Sequence, residues 1–266
     1  YMHSLEYAKD RLQGRKASEK NPESPQVPII DHADVRRMLL AQKAYSEGGL
    51  ALCLYGARLM DDQHTHPDEQ KRMEAGKLLD LLTPVIKAWP SEYGPKANDL
   101  AIQVYGGAGY TREYPVEQCW RDNRLNPIHE GTNGIQALDL LGRKIWQDQS
   151  HGLQLLMQEM QVDLQAATTE RCQQWALSLS ETLQQAVKVT QSLGKSLMGG
   201  EVDKTLANAS CYLHLFGHII VAWMWLRQAN AAANALASAN SDSERNFYQG
   251  KLQAAQYFFH WELPTV

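Results

Sequence analysis

The stretch that decides the fold is residues 103–136, which read QVYGGAGYTREYPVEQCWRDNRLNPIHEGTNGIQ. It holds glycine-containing turns, an Arg121-Asp122 pair, and a carboxylate, Glu130, just ahead of an apolar pattern. Glycine permits positive φ and close approach of the main chain, so each turn can present bare N–H groups to a ligand. Four apolar positions follow at helical spacing: Ile135, Leu138, Leu141 and Ile145. Glu130 is therefore a candidate base or a candidate helix cap, and spacing alone leaves both open.

Bulk composition excludes several classes of protein. The chain has 266 residues, of which 44% are hydrophobic, enough for one large domain or two smaller ones. A formal net charge of -4 gives no basic footprint for nucleic acid. We find no apolar run of the roughly 20 residues that a membrane span needs, and no secretory signal at the start. These features predict a cytoplasmic protein without a nucleic-acid partner or a membrane span.

Cysteine and histidine spacing gives no sign of a disulfide framework or a metal site. No cysteine pair has C-x-x-C spacing, and the sequence predicts that all four are buried small hydrophobes in a reducing compartment: Cys53, Cys119, Cys172 and Cys211. The pair His214 and His218 lies one helical turn apart but lacks a third ligand in the sequence pattern. We therefore expect no metal site.

Helical periodicity runs through the whole chain, and no alternating strand pattern is present. A polar segment, residues 16–28, predicts a surface loop, followed by a long helix to about residue 61. Gly48-Gly49 within that helix predicts a close helix crossing. A further helix is expected over residues 68–87, and Ser91 is expected to cap a separate helix that leads into Gln103.

The second half of the sequence predicts four more helices between residues 153 and 262, with breaks at Gly199-Gly200 and at residues 240–242. One of them carries an apolar set that we interpret as core: Phe216, Ile219, Ile220, Trp223 and Leu226. The predicted fold class is all-α. We expect an up-down helical bundle in residues 1–149 and a second helical domain in residues 150–266.

Four motifs of the opening stretch, in this order and spacing, resemble the C-terminal helical domain of acyl-CoA dehydrogenases. They are Gln-x-x-Gly-Gly-x-Gly-Tyr, Glu-Tyr-Pro-Val-Glu, Arg-Asp and Glu-Gly-Thr-x-x-Ile-Gln. In that family an N-terminal helical domain and a β-domain precede this part. The resemblance therefore implies that the chain is the C-terminal portion of a longer enzyme.

The last part of the chain is similar to one branch of that family, which carries an additional C-terminal helical domain. The similar segments are residues 15–18, 28–32, 247–255 and 261–264. This branch includes the 3-methylmercaptopropionyl-CoA dehydrogenases of dimethylsulfoniopropionate breakdown. The resemblance to the branch covers nearly the whole chain.

The resemblance implies roles for individual residues. Glu130 matches the catalytic base, while Thr132 and Gly134 match positions near the adenosine and ribityl parts of FAD. Gln103 and Gly107 match positions that reach the dinucleotide of a neighbouring subunit. A capping carboxylate remains the alternative role for Glu130.

Arg11 lies at the end of the first predicted helix, which we expect to span residues 1–13. It matches an arginine that contacts the FAD diphosphate, in the first half of the family pattern Tyr-Ala-x-x-Arg-x-x-Phe-Gly. The phenylalanine of the second half is absent here. A solvated arginine near a helix C-terminus is therefore the alternative. The Arg121-Asp122 pair is expected to be structural.

The function implied is α,β-dehydrogenation of an acyl-CoA thioester with hydride transfer to FAD. Implied partners are the acyl-CoA, an acceptor such as electron-transfer flavoprotein, and further copies of the chain in a homodimer or homotetramer. Without the preceding domains, we expect this chain alone to bind FAD weakly. The alternatives are a non-catalytic helical assembly module, an acyl-CoA oxidase, or a DNA-binding flavoprotein of the family, which the negative net charge disfavours.

Overall fold

The computed structural model describes residues 1–129 and 131–266. Within them the chain forms α-helices and short helical turns, and its one pair of extended segments is an isolated bridge between Leu12 and Pro28. The all-α prediction is confirmed. The helices are α1 Met2–Asp10, α2 Ala33–Thr65, α3 Glu69–Tyr105, α4 Val116–Asn123, α5 Asn133–Asp139, α6 Gln147–Gln165, α7 Glu170–Met198, α8 Val202–Leu206, α9 Ala209–Leu236 and α10 Asp242–Tyr257.

Helices α2 and α3 form the central hairpin of the fold. Asp68 caps α3, since its side chain accepts a hydrogen bond from Gln70 N at 2.8 Å. The predicted crossing at Gly48 is confirmed, because α9 packs directly against this glycine. A methyl group at Gly48 would lie 2.8 Å from Val221 Cγ1, so only glycine allows α9 to lie this close to α2.

Helix α3 is continuous, so the prediction of a break near Ser91 was wrong. Its interior contains Pro84, Pro90 and Pro95. An interior proline costs about 3 kcal/mol in a helix, since it removes a hydrogen bond and crowds the preceding turn. The core face of α3 compensates by burial, with Val85 fully buried and Trp89 3% exposed.

Helix α9 runs through the middle of the core. The residues predicted to form its buried set are all buried, and so are Val221, Met224 and Trp225 on its other faces. This helix is long and apolar enough, by length and composition, to cross a membrane, so the expectation that no such run exists was wrong. Its most apolar window is 78% buried inside the protein, as in the core helix of a folded domain.

The C-terminal turn, residues 258–265, is hydrogen-bonded to the central hairpin through the carboxylate of Glu262. Glu262 accepts hydrogen bonds from Tyr45 Oη at 2.8 Å and from Tyr257 Oη at 2.9 Å. One hydrophobic cluster includes buried residues of both predicted domains, among them Leu52 of α2 and Phe258 of the last turn. The two parts therefore share a core.

Two local predictions were wrong because residue type does not fix which face of a helix a side chain occupies. Arg121 pairs with Glu117 across one turn, Nη1 to Oε2 at 3.6 Å, and within the described residues it forms no ion pair with its neighbour Asp122. Only Cys172 among the four cysteines is buried; the other three lie on outward faces of their helices.

Candidate functional site

Three tyrosines bring the end of α1 to the end of α3. The rings of Tyr7 and Tyr105 stack with centroids 4.1 Å apart, and Tyr114 packs edge-on against both. Tyr105 Oη also donates a hydrogen bond to the carbonyl of His3 at 3.1 Å. This cluster places Arg11, one turn after Tyr7, at the same end of the molecule as Gln103, one turn before the glycine-rich turn.

Arg11 presents an exposed guanidinium at this end. The helix ends at Asp10, earlier than predicted, and Arg11 is extended with its N–H donating to Tyr7 O at 2.9 Å. Its carbonyl accepts from Ile29 N at 2.8 Å, so the main chain is held on both sides. Within the described part of the chain its side chain makes no ion pair, which leaves the charge open to an anionic ligand.

The glycine-rich turn offers an open main chain. Gly106 ends α3 with φ of 62°, a conformation that side chains rarely adopt. A Cβ built at Gly107 meets no atom of the described residues within 4 Å. Gln103 is exposed beside it. Arg11, Gln103 and Gly107 together form what we call the α1–α3 surface.

The start of α5 forms a second surface, defined by Thr132 and Gly134. Thr132 caps the helix, its Oγ1 accepting from Ile135 N at 3.4 Å. Gly131 has φ of 76°, and its carbonyl accepts from Gln136 Nε2 at 3.1 Å. At Gly134 a Cβ would meet no atom of the residues that the structure describes within 4 Å, so among these residues the main chain of this α5 surface is open.

Glu130 lies outside the described residues, so its predicted role stays a prediction. Its neighbours in sequence, His129 and Gly131, line a cavity of about 340 Å³ against the middle of α3. Lys87 of α3 also lines this cavity. Apolar side chains on either side of Glu130 in the sequence are solvent-exposed: Leu125, Ile128, Ile135 and Leu138.

The structure does not bring the two surfaces together within one chain. Asn133, in the α5 surface, hydrogen-bonds to Ser91 of α3 at 2.8 Å. Gln103 lies roughly 18 Å further along the same helix, at a rise of about 1.5 Å per residue. A single elongated ligand held by both surfaces would need either that full span or a second copy of the chain.

A cavity of about 650 Å³ lies between α3, α9 and the C-terminal turn. Its walls include Trp89, Tyr93 and His214. Tyr93 Oη lies 2.5 Å from His214 Nε2, and burial lowers the pKa of His214. Within the described residues no three side chains are grouped to hold a metal ion. The sequence patterns had not singled out Lys87 or Asn133 and had assigned Ser91 only a capping role, because contacts between distant segments leave no spacing signal.

Comparison with known protein families assigns both halves of the chain. Residues 2–146 match the family described as acyl-CoA dehydrogenase, C-terminal domain. The chain belongs to the acyl-CoA dehydrogenase family. Residues 156–266 match a second family model, acetyl-CoA dehydrogenase C-terminal like, which agrees with the predicted branch that carries an additional helical part.

Relatives of the acyl-CoA dehydrogenase family match along the whole chain. The broad-specificity linear acyl-CoA dehydrogenase FadE5 of Mycobacterium tuberculosis is 34% identical over 100% of this chain and 45% of its own length. The 3-methylmercaptopropionyl-CoA dehydrogenase of Ruegeria pomeroyi is 32% identical over 97% of this chain and 43% of its own length. The chain thus spans less than half the length of these relatives.

Solved structures of this family share the fold. Caenorhabditis elegans ACDH-11, determined in complex with C11-CoA, superimposes with a TM-score of 0.79 at 18% identity, covering 99% of this chain and 40% of its own. An acyl-CoA dehydrogenase from Bacillus anthracis complexed with FAD gives 0.70 at 18% identity, covering 99% of this chain and 44% of its own. At this identity the likeness concerns the fold alone.

Proposed function

We propose that this chain provides the catalytic base and part of the cofactor site of an FAD-dependent acyl-CoA dehydrogenase. The observation that carries the proposal is the family match over residues 2–146, which contains every candidate site residue. Three relatives that match at least 97% of this chain are all dehydrogenases of CoA thioesters. The whole enzyme would act on an acyl-CoA, with an acceptor such as electron-transfer flavoprotein.

In this proposal Glu130 takes the proton from the α-carbon of the thioester. Removal of that proton and loss of hydride from the β-carbon leave a carbon–carbon double bond. FAD, when bound, supplies the hydride acceptor. A base enclosed by apolar acyl and cofactor surfaces would have a raised pKa and a stronger pull on the α-proton.

The residues of both surfaces suit a dinucleotide. The Arg11 guanidinium is exposed and can pair with a diphosphate. The main chain is open at Gly107 and Gly134, where a ligand could approach its N–H groups. The separation of the α1–α3 surface from the α5 surface supports a cofactor shared between two subunits, each chain giving one surface to each FAD. We therefore propose a homodimer or homotetramer.

We further propose two domains, residues 1–149 and 150–266. This proposal is supported by the bounds of the two family models, of which one ends at residue 146 and the other begins at residue 156, although the two parts share one core. Asp148, Gln149 and Ser150 depart from helical geometry between them. The cytoplasm is the proposed compartment.

The test uses the complete reading frame that encodes this chain. The purified protein is screened with a series of acyl-CoAs, including methylthiopropionyl-CoA, while dye reduction and peroxide are measured in parallel. Retained FAD and dye reduction without peroxide are expected, and Glu130→Gln should abolish turnover while FAD stays bound. Peroxide in place of dye reduction would indicate an oxidase. Full turnover in Glu130→Gln would favour an assembly module without this base.

A further inference from the structure

Asn133 is the point at which three segments of the chain meet. Its main-chain N–H donates to Pro127 O at 3.3 Å and so ties the two ends of the segment that carries Glu130 in sequence. Its side chain crosses to α3, where Ser91 Oγ lies 2.8 Å from Oδ1 and Glu92 Oε2 lies 3.3 Å from Nδ2. These contacts connect residues more than 40 positions apart in sequence.

The partners fix the orientation of the Asn133 amide. The Glu92 carboxylate can only accept, so the amide must turn Nδ2 towards it. Oδ1 then faces Ser91, whose single hydroxyl proton can be donated either to Oδ1 or to the carbonyl of Ala88 at 3.0 Å. The opposite orientation would set Oδ1 against a carboxylate. The other carboxylate oxygen of Glu92, Oε1, forms an ion pair with Lys96 Nζ at 3.3 Å.

The same segment is confined from the α3 side at Gly131. A Cβ there would lie 2.9 Å from Gln136 Nε2 and 3.4 Å from Lys87 Nζ. Lys87 lies about one turn before Ser91 and Glu92 on α3, so this stretch of the helix lies beside Gly131 and Asn133, on either side of Thr132. The start of α5 is thus set relative to α3 by side chains rather than by its own seven-residue helix.

We propose that Asn133 is a positioning residue that holds Gly131, Thr132 and the first turn of α5 on α3. This inference rests on the proposed function, in which Thr132 and Gly134 contact FAD and Glu130 is the base. Asn133 itself touches neither cofactor nor substrate in this account. Its contribution is to hold the α5 surface at one distance from α3.

The experiment uses the complete protein and two readouts. The first is hydrogen exchange of the amides of residues 131–136, and the second is the dissociation constant of FAD. Asn133→Ala and Ser91→Ala each remove a hydrogen bond and should raise both exchange rate and dissociation constant about 2- to 10-fold. Asn208→Ala is the matched control, because among the described residues that amide bonds only to the carbonyls of Lys204 and Thr205. It should change neither readout.

A charge pair gives the sharper test. Asn133→Asp sets a second carboxylate against Glu92 and should raise the FAD dissociation constant about 10-fold or more at pH 8. Adding Glu92→Gln restores a donor facing an acceptor, so the double variant should return to within about 3-fold of the wild type. Rescue would assign the loss of FAD affinity to the contact between residues 133 and 92, because a general folding defect would not be repaired by a change at residue 92.

The outcomes separate this proposal from the proposed function. Unchanged exchange over residues 131–136 in Asn133→Ala, or no rescue in the double variant, would overturn the positioning role. If the wild-type protein retains no FAD, the proposed function is wrong, and hydrogen exchange in the same variants alone decides whether Asn133 holds the segment.

Discussion

Gly48 of α2 and Trp225 of α9 lie so close that a methyl group added at Gly48 would collide with the Trp225 indole. A Cβ at Gly48 would be 2.7 Å from Trp225 Nε1, while the indole N–H donates to Ala44 O at 3.1 Å. Trp225 is fully buried, so it has no space into which to retreat. The crossing of α2 and α9, which joins the two predicted domains, depends on this contact.

Gly48→Ala should therefore destabilise the protein by about 1–3 kcal/mol, as overpacking of a core does. The matched control is Gly49→Ala, whose Cβ would have its nearest neighbour at 3.5 Å. Because alanine is favoured over glycine inside a helix, the Gly49→Ala variant should be as stable as the wild type or up to about 1 kcal/mol more stable. Urea unfolding measures both, and equal effects at the two positions would contradict the proposed crossing contact.

The buried side chain of His218 should make the free energy of unfolding of the protein depend on pH. Burial, together with smaller contributions from the charges of the adjacent His214 and of Lys96, lowers the pKa of His218 to about 3. Because the native pKa is below that of the unfolded chain, the stabilisation is complete above about pH 6.5 and is lost as pH falls towards 3. The loss should be about 1.4 kcal/mol per pH unit for this group. Denaturant titrations between pH 7 and 4 should show a flatter profile for His218→Phe; an unchanged slope would refute the assignment.

Removal of either partner of the ion pair between Lys144 and Asp80 should have an unequal effect on the free energy of unfolding. The side chain of Lys144 is 6% exposed, whereas that of Asp80 is 42% exposed. Asp80→Ala leaves a buried ammonium unpaired and should cost about 3 kcal/mol. Lys144→Met leaves a carboxylate that water can solvate and should cost less than about 1 kcal/mol. Comparable losses in thermal unfolding would show that Lys144 finds another partner.

Replacing Gln149 by glycine should stabilise the protein. Its φ is 56°, between Asp148 and Ser150 that are also left-handed. A non-glycine residue there costs about 1–2 kcal/mol, so Gln149→Gly should raise the unfolding free energy by about 1 kcal/mol. Gln158→Gly, in the regular part of α6, should lower it by about the same amount. Opposite changes in the unfolding free energy of the two variants, measured by urea unfolding, would identify backbone strain at Gln149 as the cause.

Gly107→Ala should separate folding from cofactor binding. The added methyl group meets no described atom within 4 Å, so unfolding should be unchanged. If a dinucleotide approaches this main chain in the assembled enzyme, FAD retention should fall by about 10-fold or more, because a methyl group blocks close contact. Equal FAD affinity in variant and wild type would remove Gly107 from the proposed site.

The sequence by itself determined the fold class and the family. Helical periodicity needs only local spacing, and the motifs between Gln103 and Gln136 occur in fixed order, so both could be predicted before any contact was known. Gly48 could likewise be assigned to a helix crossing, because glycine inside a helix is costly without one.

Only the tertiary structure decided where helices continue and which side chains meet. Local rules placed a helix start at Ser91, but burial of Trp89 and its neighbours on α3 outweighs the proline penalty and keeps the helix continuous. The contact between Ser91 and Asn133 joins segments that no periodicity relates. The separation of Gln103 from Thr132 along α3 is also a property of packing, since sequence distance does not fix distance in space.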